Sequence, residues 1–150
     1  MKTIFDRATR AELIGRISSL DENRSALWGK MNVYQMLRHC TLWENWIQGT
    51  PPRVYKQGLF GRVFGRLALK NVMKDDKPFG RNLPTSTEFK ISDTTGDVAA
   101  EKRNWVALLN AYDHYSNPGF IHDFFGRMTR EQIGRLAYKH TDHHLRQFGA

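Results

Sequence analysis

Between Asn32 and Gly49 the apolar residues Val33, Met36, Leu37, Cys40, Trp43 and Ile47 recur every three or four positions. That spacing gathers them onto one stripe of an α-helix and would scatter them over both faces of a strand. Asn32 suits the helix start, and Gly49 followed by Pro51-Pro52 stops it. No stretch of strand-type alternation of useful length competes with this pattern anywhere in the chain. The segment therefore constrains the fold class before anything else does.

Four further helices are expected. The first spans about Thr9 to Leu20, with Leu13, Ile14 and Ile17 on one stripe and a Thr9-x-x-Glu12 capping pair. The third, about Leu59 to Lys74, is apolar at Phe60, Val63, Phe64 and Leu67 but also at Leu69, Val72 and Met73, which implies burial on more than one side or partial fraying. Asp75 to Gly96 is polar and reads as a loop with a short extended piece at Phe89–Ile91. The fourth helix runs from about Asp97 to Ser116 and ends at Asn117-Pro118-Gly119. The fifth, about Arg130 to Phe148, opens with the pair Thr129 and Gln132. Long helices on either side of an extended crossover imply an all-α, up-and-down bundle, a single domain over residues 1–150 with an additional helix in the crossover.

Composition narrows the function classes. At 150 residues, 40% hydrophobic, the chain is one ordinary domain and not a disordered polymer. Its lone cysteine, Cys40, can make neither an internal disulfide nor a zinc ribbon, so any metal would be held by nitrogen and oxygen. The start lacks the apolar core of a signal peptide and no stretch has the uncharged length of a bilayer span, so a cytoplasmic protein without a membrane partner is expected. The net charge of +8 permits attraction to nucleic acid, acidic membrane surfaces or anionic metabolites. With no aromatic-basic module and no helix-turn-helix sequence, nucleic acid is disfavoured.

Three of six histidines crowd the last helix, in Lys139-His140-Thr141-Asp142-His143-His144. His140 and His144, four apart, share a face with Ile133, Leu136 and Ala137 and therefore look into the bundle. Buried imidazoles need hydrogen bonds or a cation to satisfy their ring nitrogens. His39 borders the stripe of the second helix, about two turns from its start; His144 and His140 lie about one and two turns from the end of the fifth. If these helices run antiparallel, the three imidazoles meet at one height. A divalent ion held by His39, His140 and His144 is the expectation.

His-x-x-x-His followed by Gln147, with an upstream His39 in an all-helical chain, resembles the DinB-like superfamily of YfiT-like metalloenzymes. The segments Phe124-Phe-Gly-Arg-Met-Thr-Arg-Glu-Gln-Ile133 and Lys139-His-Thr-Asp-His-His-Leu-Arg-Gln-Phe148 look like one branch of it. The resemblance implies an up-down-down-up four-helix bundle and a three-His site for zinc or nickel, with iron or manganese as further occupants of such an imidazole set. It also implies a small-molecule substrate, with low-molecular-weight thiol transfer or hydrolysis as the reaction. Thr141 stands where a zinc peptidase of the His-Glu-x-x-His kind carries its general base, which disfavours peptidase chemistry.

Around this core the plainer alternatives stay in view. Glu44 is a candidate base or extra ligand, though helical geometry favours a solvated carboxylate. Gln147 is a candidate to fix an imidazole or simply a buried polar group. His143 falls at the edge of the seam, as a supporting donor or a surface residue, and Asp142 reads as solvated. Cys40 reads as a small buried hydrophobe, and His114 and His122 as loop residues. Arg62, Arg66, Lys70 and Lys74 form a basic edge on the third helix, most simply a solvated face. The competing class is a non-catalytic interaction protein, a homodimer through the apolar surplus of that helix or a binder of anionic ligands.

Overall fold

The computed structural model describes residues 1–150. Its five α-helices are α1 (Arg7–Ser18), α2 (Val33–Gln48), α3 (Leu59–Met73), α4 (Val98–Asn110) and α5 (Arg130–Gln147). Two capping boxes fix the starts of α2 and α5. Asn32 and Gln35 exchange side-chain and backbone bonds at one, Thr129 and Gln132 at the other. The start of α1 differs from expectation: the cap is Asp6, whose carboxylate accepts from both the amide and the hydroxyl of Thr9 at 2.7 Å. The charged carboxylate is the stronger acceptor for an orphan helix N–H, so the helix starts at Arg7, two residues earlier than expected. Beside the start of α1, where Phe5 packs on Tyr112, α4 stops at Asn110 and tightens into a 3₁₀ turn, Ala111–His114.

The chain is mostly helical, as an all-α class requires, with one small addition. Two short strands, β1 (Ile121–His122) and β2 (Gly126–Arg127), pair antiparallel. Gly126 has φ +77°, a left-handed conformation that lets so tight a hairpin close. Strands of two residues carry no period, so nothing in the sequence announces them. At the extended piece expected at Phe89–Ile91, a 3₁₀ turn, Thr87–Phe89, buries Phe89, and the backbone becomes extended at Lys90 without pairing as a strand.

Contacts give the helix directions. Along α2 and α4, Thr41 bonds Glu101 and Gln48 bonds the Leu108 carbonyl, so the two run the same way. His39 lies against His144 and Trp43 against His140, so α2 and α5 run oppositely. The one core is built from Leu13 and Ile17 of α1, Met36, Leu37 and Ile47 of α2, Trp105 and Leu109 of α4, and Leu136, Ala137 and Leu145 of α5. Fully burying each large side chain contributes about 1.5–3 kcal/mol.

Helix α3 is the exception to inward-facing apolar residues. Only Gly61, Gly65 and Leu69 are buried, while Leu59, Phe60, Val63, Phe64 and Leu67 are 56–79% exposed. This corrects the expectation of a helix buried on several sides. The glycines face the hairpin, and a Cβ at either would overlap the Phe124 carbonyl oxygen. Close approach of backbone to backbone thus fixes which way the helix faces, and the larger apolar residues are left outside. Its end is held by the Lys139 ammonium, which donates to the carbonyls of Val72 at 2.8 Å and Lys77 at 3.0 Å. No helix is long and apolar enough to cross a membrane.

Candidate metal centre

The last helix places His140, His143 and His144 within little more than one turn, and α2 brings His39 to them from the opposite direction. Ring centroids stand 5.2 Å apart for His39 and His140, and 4.7 Å for each of the other two pairs among His39, His140 and His144. One ligand atom from each of these three residues lies within 4.8 Å of the others. The structure thus unites the three imidazoles expected from the spacing.

Orientation matters more than proximity. His39 Nδ1 is 2.9 Å from the Phe89 carbonyl oxygen, and His144 Nδ1 is 3.0 Å from Gln147 Oε1. Both partners are acceptors, so each Nδ1 carries the proton and each Nε2 keeps its lone pair. The Gln147 amide is oriented in turn, since its NH₂ donates to the Trp28 carbonyl at 2.8 Å. Such acceptors behind an imidazole are the usual means of holding a metal-ligating histidine in tautomer and angle.

His39 Nε2 and His140 Nε2 approach to 3.1 Å. Two Zn–N bonds subtending angles between square and tetrahedral place their nitrogens about 2.9 to 3.4 Å apart, so this spacing suits a shared ion. The His140 ring stacks on Trp43, with centroids 4.0 Å apart and planes 15° from parallel, and its Nδ1 is buried without a partner. Burial, with the mutual repulsion of the cluster behind it, holds His140 and His144 well below the ordinary histidine range. His39 is lowered by burial alone, against the opposing Phe89 bond. All three are neutral near pH 7, the form a metal requires. The residues fit a divalent ion of the borderline-soft class.

The cluster opens into a cavity of about 190 Å³ lined by Trp43, Trp46, Phe79, Phe89, His122 and His143 among others. His122 was expected to be a loop residue. It stands on β1 beside Trp46, with ring centroids 5.0 Å apart, and its Nδ1 is 2.8 Å from Asp123 Oδ1. That partnership holds the Asp123 carboxyl below its usual range. No local pattern marks His122, because its place depends on a hairpin assembled by tertiary contacts. His143 is buried, against Trp28 and Phe79, which replaces the surface alternative. His114 is exposed.

Two carboxylates expected in solvent are buried. Asp142 accepts from Arg16 of α1 at 2.8 Å and from Arg146 at 2.7 Å, and the paired guanidiniums offset its desolvation. Glu44 is fully buried; it accepts from the Tyr112 hydroxyl at 2.6 Å and from Thr141 at 3.4 Å. Burial pushes its carboxyl up to about 7, against the pull of these donors. Glu44 neither lines the cavity nor joins the three-His group, and it reaches the centre only through Thr141, the neighbour of His140. Cys40 is a buried small side chain, as expected, its thiol 3.8 Å from the Met36 sulfur.

No curated protein and no solved structure matches the chain. A family described as Protein of unknown function (DUF1569) matches residues 6–150, which hold all three imidazoles and both of their carbonyl partners. The chain therefore belongs to the DUF1569 family.

Proposed function

We propose that this chain is a metal-dependent enzyme of DinB-like architecture, an up-down-down-up bundle whose His39, His140 and His144 hold one divalent ion, zinc or nickel first. The observation that carries this reading is the pair of carbonyl oxygens, from Phe89 and Gln147, that free the Nε2 edges of two clustered imidazoles. A merely packed histidine core would direct both nitrogens of each ring to protein partners, whereas His140 Nδ1 has none.

A bound divalent ion supplies Lewis acidity, lowering the pKa of a water or thiol held against it. The chain's own groups do the rest. Trp43, Trp46 and Phe89 wall the cavity with apolar surface that excludes water and orients a small molecule. His122, braced by Asp123, faces the same space and is placed to hold or move a proton. Gln147 acts behind His144 by fixing its tautomer. Glu44 acts further back, bonded to Thr141, as a buried group that sets the backing of α5. A cavity of about 190 Å³ suits a small molecule, with transfer of a low-molecular-weight thiol or hydrolysis as the reaction.

Metal analysis of untagged protein, beside His144→Ala, tests the reading. About one equivalent of zinc or nickel in the parent and little in the variant is expected. Equal metal content in the two, or none in protein refolded with either ion, would overturn it. With metal present, conjugation of an electrophile to several thiols is then compared with ester and amide cleavage.

A further inference from the structure

Helix α3 is built like an interfacial helix. At 100° per residue, Leu59, Val63, Leu67, Phe60 and Phe64 form one outward ridge, and Gly61, Gly65 and Leu69 occupy the inward side. Arg62 and Arg66 run along one border of the ridge, and Lys70 and Lys74 close its C-terminal end. The helix contains no acidic residue. Phe60 and Phe64, 79% and 56% exposed, leave on the order of 250 Å² of aromatic side chain uncovered, before the three aliphatic residues are added. A contiguous apolar surface of this size marks an interaction site.

A second observation says what kind of partner fits. Beside the ridge, between α3 and the hairpin, lies a cleft of about 530 Å³ whose lining includes Lys56, Arg62, Arg66 and Arg127 and no carboxylate. None of these four cations takes part in any of the chain's ion pairs. Apolar ridge and unpaired cations sit side by side, which is the pattern of a helix lying in the plane of a lipid interface, its long basic side chains reaching up to phosphates.

We propose that α3 docks this protein on an anionic phospholipid surface. Phe60, Val63, Phe64 and Leu67 enter the acyl boundary, and the cleft of Lys56, Arg62, Arg66 and Arg127 takes headgroup phosphates. A second copy of the chain is a poorer occupant, because it would bring its own acid-free helix against these cations. Nucleic acid would satisfy the cations and leave the phenylalanines and leucines in water. The proposal replaces the expectation of no membrane partner, and it does not depend on the metal centre, since α3 supplies none of the three imidazoles.

Vesicle flotation tests it, using phosphatidylcholine and phosphatidylserine in equal parts against phosphatidylcholine alone. The protein is expected to float with the anionic vesicles and to be largely released by high salt. Arg62→Gln with Arg66→Gln should weaken partitioning roughly fivefold per cation removed. Phe60→Ser with Phe64→Ser should abolish flotation while leaving the unfolding midpoint and metal content unchanged, because both side chains stand in solvent. Failure of the parent to float with anionic vesicles, or flotation undiminished in either double variant, would overturn it. So would a concentration-dependent dimer that the serine variant dissociates, or salt-sensitive retention on DNA, where vesicles are not bound.

Discussion

Replacing Glu44 by glutamine should make the protein more stable, and increasingly so with rising pH. In the unfolded chain this carboxyl titrates near its ordinary 4.5, whereas burial pushes it to about 7 in the native state. Between those values the folded protein holds a proton that the unfolded chain has released. The native state is then disfavoured progressively as pH rises through the window. At roughly 1.4 kcal/mol per unit the gap amounts to about 3 kcal/mol, lost in full above the folded value. The amide keeps the shape and accepts from Tyr112 as the carboxylate does, but carries no charge to desolvate. Urea unfolding of parent and Glu44→Gln in chelator-containing buffer, at about pH 4 and about pH 8, reads the effect. The histidines contribute equally to both proteins and cancel in the difference. The variant should match the parent at the acid end and exceed it by about 3 kcal/mol at the alkaline end. A difference independent of pH would refute the assignment of the proton to Glu44, and a variant less stable throughout would show the bonds to matter more than the charge.

Gly65→Ala should cost about 1–3 kcal/mol, because its Cβ would overlap the Phe124 carbonyl and neither backbone can yield without lifting α3 from the hairpin. Gly15→Ala, with nothing within 4 Å of the new carbon, should instead add about 0.5–1 kcal/mol, and thermal unfolding of the two variants reads the opposite signs. Gln147→Ala removes the acceptor behind His144 and should weaken zinc binding about 10–100-fold in a competition titration with a chromophoric chelator. Gln147→Glu keeps the acceptor behind His144 but gives up the donor to the Trp28 carbonyl, so its affinity should fall between those of the parent and Gln147→Ala; equal losses in both would argue against the tautomer role.

The three imidazoles were legible because each lies on a helix whose own period points it inward, and because a common height follows from counting turns. Thr129 with Gln132, and Asn32, were legible for a similar reason: caps are local chemistry. What escaped the sequence depends on partners far along the chain. Asp142 looks solvated on its own helix, where Arg146 pairs with it, and it is the second guanidinium, Arg16 of the distant α1, that covers it and offsets its burial. Glu44 is likewise buried because Tyr112, sixty-eight residues away, donates to it. His122 reaches the cavity through a hairpin too short to show a period. For α3 the pattern itself misled: five large apolar residues signal burial, yet two glycines set the packing face by permitting an approach no larger side chain allows.

The two carbonyl oxygens behind the imidazoles are not equivalent in kind. Gln147 offers a side chain, so replacement by a residue without an acceptor there alters the protonation of His144. Phe89 offers its peptide group, which every amino acid possesses, while its ring forms part of the chamber wall. Position 89 can therefore diversify what the chamber admits without disturbing the ligand it steadies. If the chamber is the metal-dependent active site proposed above, descendants of one ancestral chain can in this way exchange substrates at a single site and inherit the same chemistry unchanged.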